Sequence, residues 1–134
     1  MGFMFFGGNP GAFRDKELID WITQYEKKME YLFTVCSGAF ALGHAGLLNG
    51  QTATTFHARI EELRHVFPQV TVLAGVRFVD NGRIVTSAGI SAGIDGALHM
   101  VSRIQGEAAA AEVAREMEYD KWIPNEGLIL RNKK

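Results

Sequence analysis

The strongest constraint in this sequence is an alternation. Short apolar runs, too brief for helices, are each followed by a stretch whose apolar residues recur at helical spacing. Residues 3–6 read as a buried strand ending at Gly7-Gly8-Asn9-Pro10-Gly11, a loop able to expose backbone N–H groups. Residues 15–28 place Leu18, Ile19, Ile22 and Tyr25 on one helical face, with Asp15 positioned to cap it. A second fully buried strand is predicted over 31–35, then a helix of small and apolar residues over 38–48 closed by Asn49-Gly50. Residues 52–55 form a short β-branched run, and 58–66 a helix with Ile60, Leu63 and Val66 on one side, ended by Pro68. Strands follow at 70–73 and 76–79, and Asn81-Gly82 signals a tight hairpin of the primed type into Ile84-Val85-Thr86. Helices are expected over 92–105, where Gly93 and Gly96 permit close approach to a neighbour, and over 107–119, which is alanine-rich and amphipathic. This order predicts one α/β domain over 1–134: an open, mostly parallel sheet with helices on both faces and a small hairpin.

At 134 residues, 47% hydrophobic and 22% charged, the chain suits a single folded domain rather than a disordered one. Its net charge of −1, with only the run Arg131 to Lys134 basic, carries no electrostatic footprint for nucleic acid, so DNA or RNA binding by this chain alone is not expected. No apolar run approaches the roughly 20 residues a membrane span needs, and the first residues lack a signal peptide's charged start. The single Cys36 cannot form an internal disulfide, which fits a reducing cytoplasm.

Chemistry concentrates at Thr34-Val35-Cys36-Ser37-Gly38-Ala39-Phe40. A buried strand ends at Cys36, a helix begins at once, and Gly38 follows two residues on, where a side chain would obstruct a sharp turn. This is a nucleophile-elbow pattern, and a sulfur at such a helix start is favoured as thiolate. A lone cysteine after an apolar strand also suits a small core position, and both readings stand at this point. A nucleophile needs aimed backbone donors. The Ser37 N–H follows Cys36 directly, and the Gly8 N–H ends the neighbouring strand. The glycine turn matches neither a dinucleotide nor a Walker pattern.

Of the histidines, only His57 lies at a strand's C-terminal end, where open α/β sheets place ligands; it is the candidate base, although a loop histidine can simply be solvated. His44, His65 and His99 fall within or at the edge of helices and read as packing or surface residues. Asp95, expected in the first turn of its helix, reads as a structural residue favoured by the dipole rather than a triad acid. No His/Cys spacing suggests a metal site, and no cofactor is expected.

Several segments together resemble the ThiJ/PfpI family of the class I glutamine amidotransferase-like superfamily. They are Phe6-Gly7-Gly8-Asn9-Pro10-Gly11, the Val35 to Phe40 elbow, Ala45-Gly46-Leu47-Leu48-Asn49-Gly50, Ala53-Thr54-Thr55 and Thr86-Ser87-Ala88-Gly89-Ile90-Ser91-Ala92-Gly93-Ile94-Asp95. The last resembles a signature of isonitrile hydratases and of the amidotransferase-like sensor domains of AraC-type regulators. The resemblance spans nearly the whole chain. It implies a flavodoxin-like three-layer αβα sandwich, usually a homodimer, with Cys36 as nucleophile and Gly8 and Ser37 as oxyanion donors.

The sequence departs from that family in three places. Phe56 stands where many relatives carry histidine, with His57 one residue later. Ser37 stands where hydratase-like members carry threonine and keeps only the hydroxyl. Relatives also begin with further β and α elements, including a central strand and an acidic residue bonded to the cysteine, so missing N-terminal elements and a partial domain are expected. The resemblance implies a cysteine-dependent enzyme acting on a small molecule, by isonitrile hydration first and amide hydrolysis or glyoxal detoxification second. A non-catalytic ligand-sensing or redox-sensing domain is the alternative, and an inactive partial domain a third reading. Glutamine amidotransfer is not expected, because that branch's later His and Glu pair is not matched.

Overall fold

The computed structural model describes residues 2–130. In chain order its elements are β1 (Phe3–Phe6), α1 (Lys16–Tyr25), β2 (Tyr31–Thr34), α2 (Ala39–His44), β3 (Thr52–Ala53), α3 (Ile60–Val66), β4 (Thr71–Val72), β5 (Phe78–Asp80), β6 (Ile84–Ser87), α4 (Ile90–Gln105), α5 (Glu107–Glu116) and β7 (Leu128–Ile129). Tight 3-10 turns occupy Pro10–Arg14, Glu26–Lys28, Cys36–Gly38 and His57–Arg59. The main sheet runs β1-β2-β6-β5-β7, and β3-β4 form a separate parallel pair. Among the described residues only β5 against β6 is antiparallel, so the sheet is mixed but mostly parallel.

Strand periodicity divides the core into two layers. On β2, Leu32 faces one side and Phe33 the other; on β6, Ile84 and Val85 do the same. Leu32 and Ile84 join Ile22, Leu42 and Leu63 beneath α1, α2 and α3, while Phe33, Val85 and Phe78 join Met100 beneath α4. Helices therefore cover both faces, as the alternation requires. The Asp15 carboxylate caps α1 by accepting from the Glu17 N–H at 3.0 Å. On α4, a Cβ at Gly93 would stand 2.5 Å from a Val35 methyl, and one at Gly96 2.9 Å from the Phe33 ring. The two glycines let the helix lie directly on β2 beside the Cys36 turn.

Several boundaries differ from the sequence expectation, each for an identifiable reason. Strand β1 lies at the end of the sheet and Phe3 is 44% exposed, so this strand is not fully buried. The expected helix over 38–48 is reduced to the Cys36–Gly38 turn and six residues of α2. Strand β3 stops at Ala53, because the hydroxyls of Thr54 and Thr55 serve as tertiary connectors. The hairpin reverses at Gly82-Arg83, with Gly82 at φ +99° and the Asn81 N–H donating to the Ile84 carbonyl at 2.9 Å. The Asn81 side chain is used elsewhere: its amide donates to the Thr52 carbonyl at 2.6 Å and its oxygen accepts from the Thr52 N–H at 3.2 Å, tying the small sheet to the large one. Helix α4 begins at Ile90, which puts Asp95 in its second turn rather than its first. Strand β7 was not foreseen; it runs beside β5, where a Cβ on Gly127 would stand 2.4 Å from the Phe78 ring. The basic run Arg131 to Lys134 lies outside the described residues. Among the described residues no helix is long and apolar enough to cross a membrane.

Under α4 sits a buried polar cluster. Asp80, at 0% exposure, lies 2.6 Å from His99 Nε2, accepts from the Gly82 N–H at 2.6 Å and pairs with Arg103 at 3.4 Å. Burial pushes the Asp80 carboxyl up, but the His99 bond, the Gly82 amide and the nearby charges outweigh it and hold it below its ordinary value. A carboxyl depressed by folding contributes stability that is present above the ordinary carboxylate range and lost as pH falls through its folded value. Urea midpoints measured from pH 7 to pH 2 should therefore fall more steeply for the wild type than for Asp80→Asn, with the variant less stable at pH 7 by about 1–3 kcal/mol. Equal slopes would show that Asp80 is not the linked group.

Candidate active site

Strand order delivers Cys36 to the end of the parallel sheet. The register of β1 on β2 sets Phe6 beside Thr34, so Gly7 and Gly8 run level with Val35 and Cys36. Gly7 touches Val35, its Cβ position lying 3.6 Å from the Val35 carbonyl, and the Pro10–Arg14 turn packs on the Cys36–Gly38 turn. Gly8 is exposed with φ +129°, a conformation that suits glycine. The two expected backbone donors, Gly8 and Ser37, thus belong to adjacent turns at one end of the sheet. Ser37 is 3% exposed.

Val35 is extended and Cys36 turns abruptly to φ +58°, a left-handed conformation rare for a residue with a side chain. Such a residue costs of order 1–3 kcal/mol and persists only where its surroundings hold it. Three hydrogen bonds supply the restraint. The Cys36 N–H donates to the Ala88 carbonyl at 3.0 Å, the Thr55 hydroxyl donates to the Cys36 carbonyl at 2.7 Å, and the Gly38 N–H returns to the Val35 carbonyl at 3.0 Å. Cys36 is partly exposed, consistent with a reagent-accessible thiol rather than a sealed core position.

The loop carrying His57 starts from this restraint. Thr55, 0% exposed, is fixed to Cys36; the Phe56 ring then packs on Gly89, where a Cβ would stand 2.9 Å away, and His57 follows, exposed and 4.4 Å from the Phe56 ring. No hydrogen bond joins His57 to Cys36. Instead His57 lines a cavity of about 520 Å³ with Thr55, Ile60, Val76, Arg77 and Ala88, and an adjoining one of about 340 Å³ with Phe56, Arg77 and the Gly89 to Ala92 turn. Cys36 is not part of either lining, but Thr55 and Ala88, which grip its backbone, form a wall of the larger one. The remaining histidines lie elsewhere: His44 meets Phe67 edge-on, His65 is exposed on α3, and His99 is buried with Asp80.

Sequence reasoning missed Thr55, Ala88 and Arg77. Arg77 reaches from the segment before β5 to Asp95, which is 2% exposed, donating through Nε at 2.7 Å and also through Nη2, with Ser91 beside it. The Tyr119 hydroxyl donates to the other Asp95 oxygen at 3.0 Å, and burial together with that carboxylate raises it above its ordinary value, keeping it a donor. Asp95 is therefore an anchor between α4, the Arg77 cavity wall and the segment after α5. The Gly7-Gly8 turn and the Cys36 elbow can be read from sequence; an ion pair closing over 18 residues has no local signal. Among the described residues no cluster of His, Cys, Asp or Glu could hold a metal.

The family model described as DJ-1/PfpI family matches residues 4–103. Isonitrile hydratase from Pseudomonas putida is 35% identical over 105 residues, covering 78% of this chain and 45% of that protein. The HTH-type transcriptional regulator CdhR from Pseudomonas aeruginosa is 28% identical over 109 residues, 81% of this chain and 32% of that protein. The crystal structure of a ThiJ/PfpI family protein from Pseudomonas syringae superimposes with a TM-score of 0.80 at 28% identity, covering 92% of this chain and 52% of that chain. The chain thus spans about half, or less, of the length of these relatives.

Replacing Asp95 with alanine leaves Arg77 and the Tyr119 hydroxyl without their acceptor. Asp95→Ala should lower stability by about 1–3 kcal/mol in urea denaturation, the cost of stranding partly buried donors. An unchanged midpoint would remove Asp95 from the role of anchor.

Proposed function

The chain belongs to the DJ-1/PfpI family, and from that premise we propose that it performs cysteine-dependent chemistry on a small molecule, with Cys36 as the nucleophile. The observation that carries this reading is the left-handed Cys36 itself, a strained non-glycine residue gripped on both sides of its backbone at the end of a parallel strand. Strain maintained by three hydrogen bonds around a partly exposed cysteine supports a reactive role over a packing one.

Hydration of an isonitrile is the reaction we place first, supported by the 35% identity to isonitrile hydratase. The Cys36 sulfur adds to the terminal carbon and the thiol proton passes to that same carbon, giving a thioformimidate. Water then adds to that carbon, the carbon–sulfur bond breaks, the sulfur regains a proton, and an N-substituted formamide leaves. Backbone N–H groups of Gly8 and Ser37 would stabilise the oxygen of the tetrahedral adduct, and His57, an exposed imidazole on a cavity wall, would exchange protons with water. Amide hydrolysis and glyoxal detoxification use the same nucleophile and donors and stand second. The reading includes a cytoplasmic homodimer without metal or cofactor.

A second reading is a sensing domain without turnover. It is favoured by the 28% identity to CdhR over 81% of this chain.

The test is turnover of a small alkyl isonitrile, followed by NMR, in the wild type, Cys36→Ala and Cys36→Ser. The wild type should produce formamide, and both variants should lose at least about 10³-fold of that rate with unchanged far-ultraviolet circular dichroism. Turnover that survives either substitution would sink the mechanism. No turnover by the wild type for any isonitrile, amide or glyoxal, with a small molecule nonetheless raising its melting temperature, would favour the sensor.

A further inference from the structure

The peptide between Cys36 and Ser37 has a side-chain partner on its carbonyl, and that partner lies 19 residues away in sequence. Thr55 is completely buried, and its hydroxyl donates to the Cys36 carbonyl at 2.7 Å. A trans peptide is planar, and its carbonyl and N–H point in opposite directions. Whatever fixes the Cys36 carbonyl therefore fixes the direction of the Ser37 N–H. That N–H opens a helical turn, where amides have no intrahelical acceptor.

The geometry points to Thr55 as a positioning residue for the Cys36 nucleophile: its hydroxyl locks the Cys36–Ser37 peptide so that the Ser37 N–H is aimed at the oxyanion of a carbonyl or imidoyl substrate. The inference rests on the reading of Cys36 as nucleophile and adds a residue to it. Its acceptor distinguishes Thr55 from Thr54 and Ser87. Thr54 donates to the Leu73 carbonyl on the small sheet, and Ser87 to the Thr34 carbonyl inside β2; only Thr55 reaches the peptide of the reactive residue. Thr55, like Thr54, lines the 520 Å³ cavity, and it joins that cavity to the turn. The Ala88 carbonyl holds the opposite side of Cys36, which leaves the Cys36–Ser37 peptide as the remaining hinge.

Two reagents separate this role from general stability. p-Nitrophenyl acetate acylates a thiol through a tetrahedral oxyanion: the sulfur–carbon bond forms, the bond to p-nitrophenolate breaks, and the thiol proton leaves to water. Iodoacetamide alkylates the same sulfur by displacing iodide at a saturated carbon and forms no oxyanion. Both rates are measured on the full chain from pH 6 to pH 9 for the wild type, Thr55→Val, Thr55→Ala, Thr55→Ser, Ser87→Ala and Cys36→Ala, with circular dichroism and melting temperature recorded alongside.

In Thr55→Val and Thr55→Ala, acylation should fall roughly tenfold or more at every pH, while alkylation changes by less than about threefold. Thr55→Ser should return acylation to near the wild-type rate. Ser87→Ala, which loses a comparable buried bond onto the same strand, should lose melting temperature without changing the ratio of the two rates. Acylation of Thr55→Val and Thr55→Ala at the wild-type rate would overturn the inference and leave Cys36 as nucleophile. An equal fall of both rates, shared by Ser87→Ala, would make Thr55 merely structural and overturn it as well. A wild type acylated no faster than Cys36→Ala would remove the nucleophile and the inference together.

Discussion

The left-handed turn at Cys36 is the constraint to which much of the remaining structure answers. A residue with a side chain resists φ +58°, so the conformation must be imposed from outside by groups that are themselves rigid. Those groups come from three places: the Ala88 carbonyl just beyond β6, the Thr55 hydroxyl just beyond β3, and the close approach of α4 through Gly93 onto Val35. Each is fixed in turn. Strand β6 is the neighbour of β2 in the sheet, Thr54 is tied to Thr86 of β6 by a 3.0 Å bond, and α4 rests on Phe33 through Gly96. Strain at one residue is thus distributed over two sheets and a helix, and no single loop bears it.

Side chains that imitate backbone hold the two sheets together. Asn81 presents a carbonyl and an N–H group to Thr52 as a neighbouring strand would, and Thr86 offers its hydroxyl oxygen to the Thr54 N–H. These bonds suit short strands whose edges would otherwise leave polar groups unpaired inside the fold. They also account for four of the buried hydroxyls: Thr54, Thr55, Thr86 and Ser87 are each 1% exposed or less and each has a partner for its oxygen, whereas the equally buried Thr34 hydroxyl has none among the described residues.

Periodicity and turn chemistry made the architecture legible. The alternation of apolar runs and helical spacing is enough to call for a mostly parallel sheet covered on both faces, and the Val35-Cys36-Ser37-Gly38 string is enough to mark a sharp strand-to-helix turn. Gly93 and Gly96 could be read as a close-packing face, and they lie on β2. What escaped was set by distant partners. Thr54 and Thr55 look like strand residues because β-branching is the local signal, whereas their hydroxyl partners lie 19 residues away in opposite directions along the chain. Strand β7 is two residues long and has no pattern of its own; it exists because β5 offers it an edge. Arg77 looks like a strand residue and its carbonyl does accept from the Ala88 N–H at 3.0 Å, but its side chain is committed to the buried Asp95 carboxylate on the cavity wall.

His57 stands beyond the C-terminal end of β3 and apart from the thiol. Phe56 takes the place against Gly89, and the imidazole that follows is carried outward into the solvent-facing cavity beside Arg77. A histidine there is well placed to exchange protons with water entering that cavity, but it is not bonded to the thiol and does not orient it. Orientation at this site comes from backbone geometry: the Cys36 peptide and the adjoining Gly8 turn are set by strand register and by the Thr55 hydroxyl. The division of labour has a chemical consequence under the proposed reading. A nucleophile oriented by backbone restraint would need a general base chiefly in the step where water adds, so the two halves of the proposed hydration would be controlled by different groups, the first by the Cys36 turn and the second by the cavity.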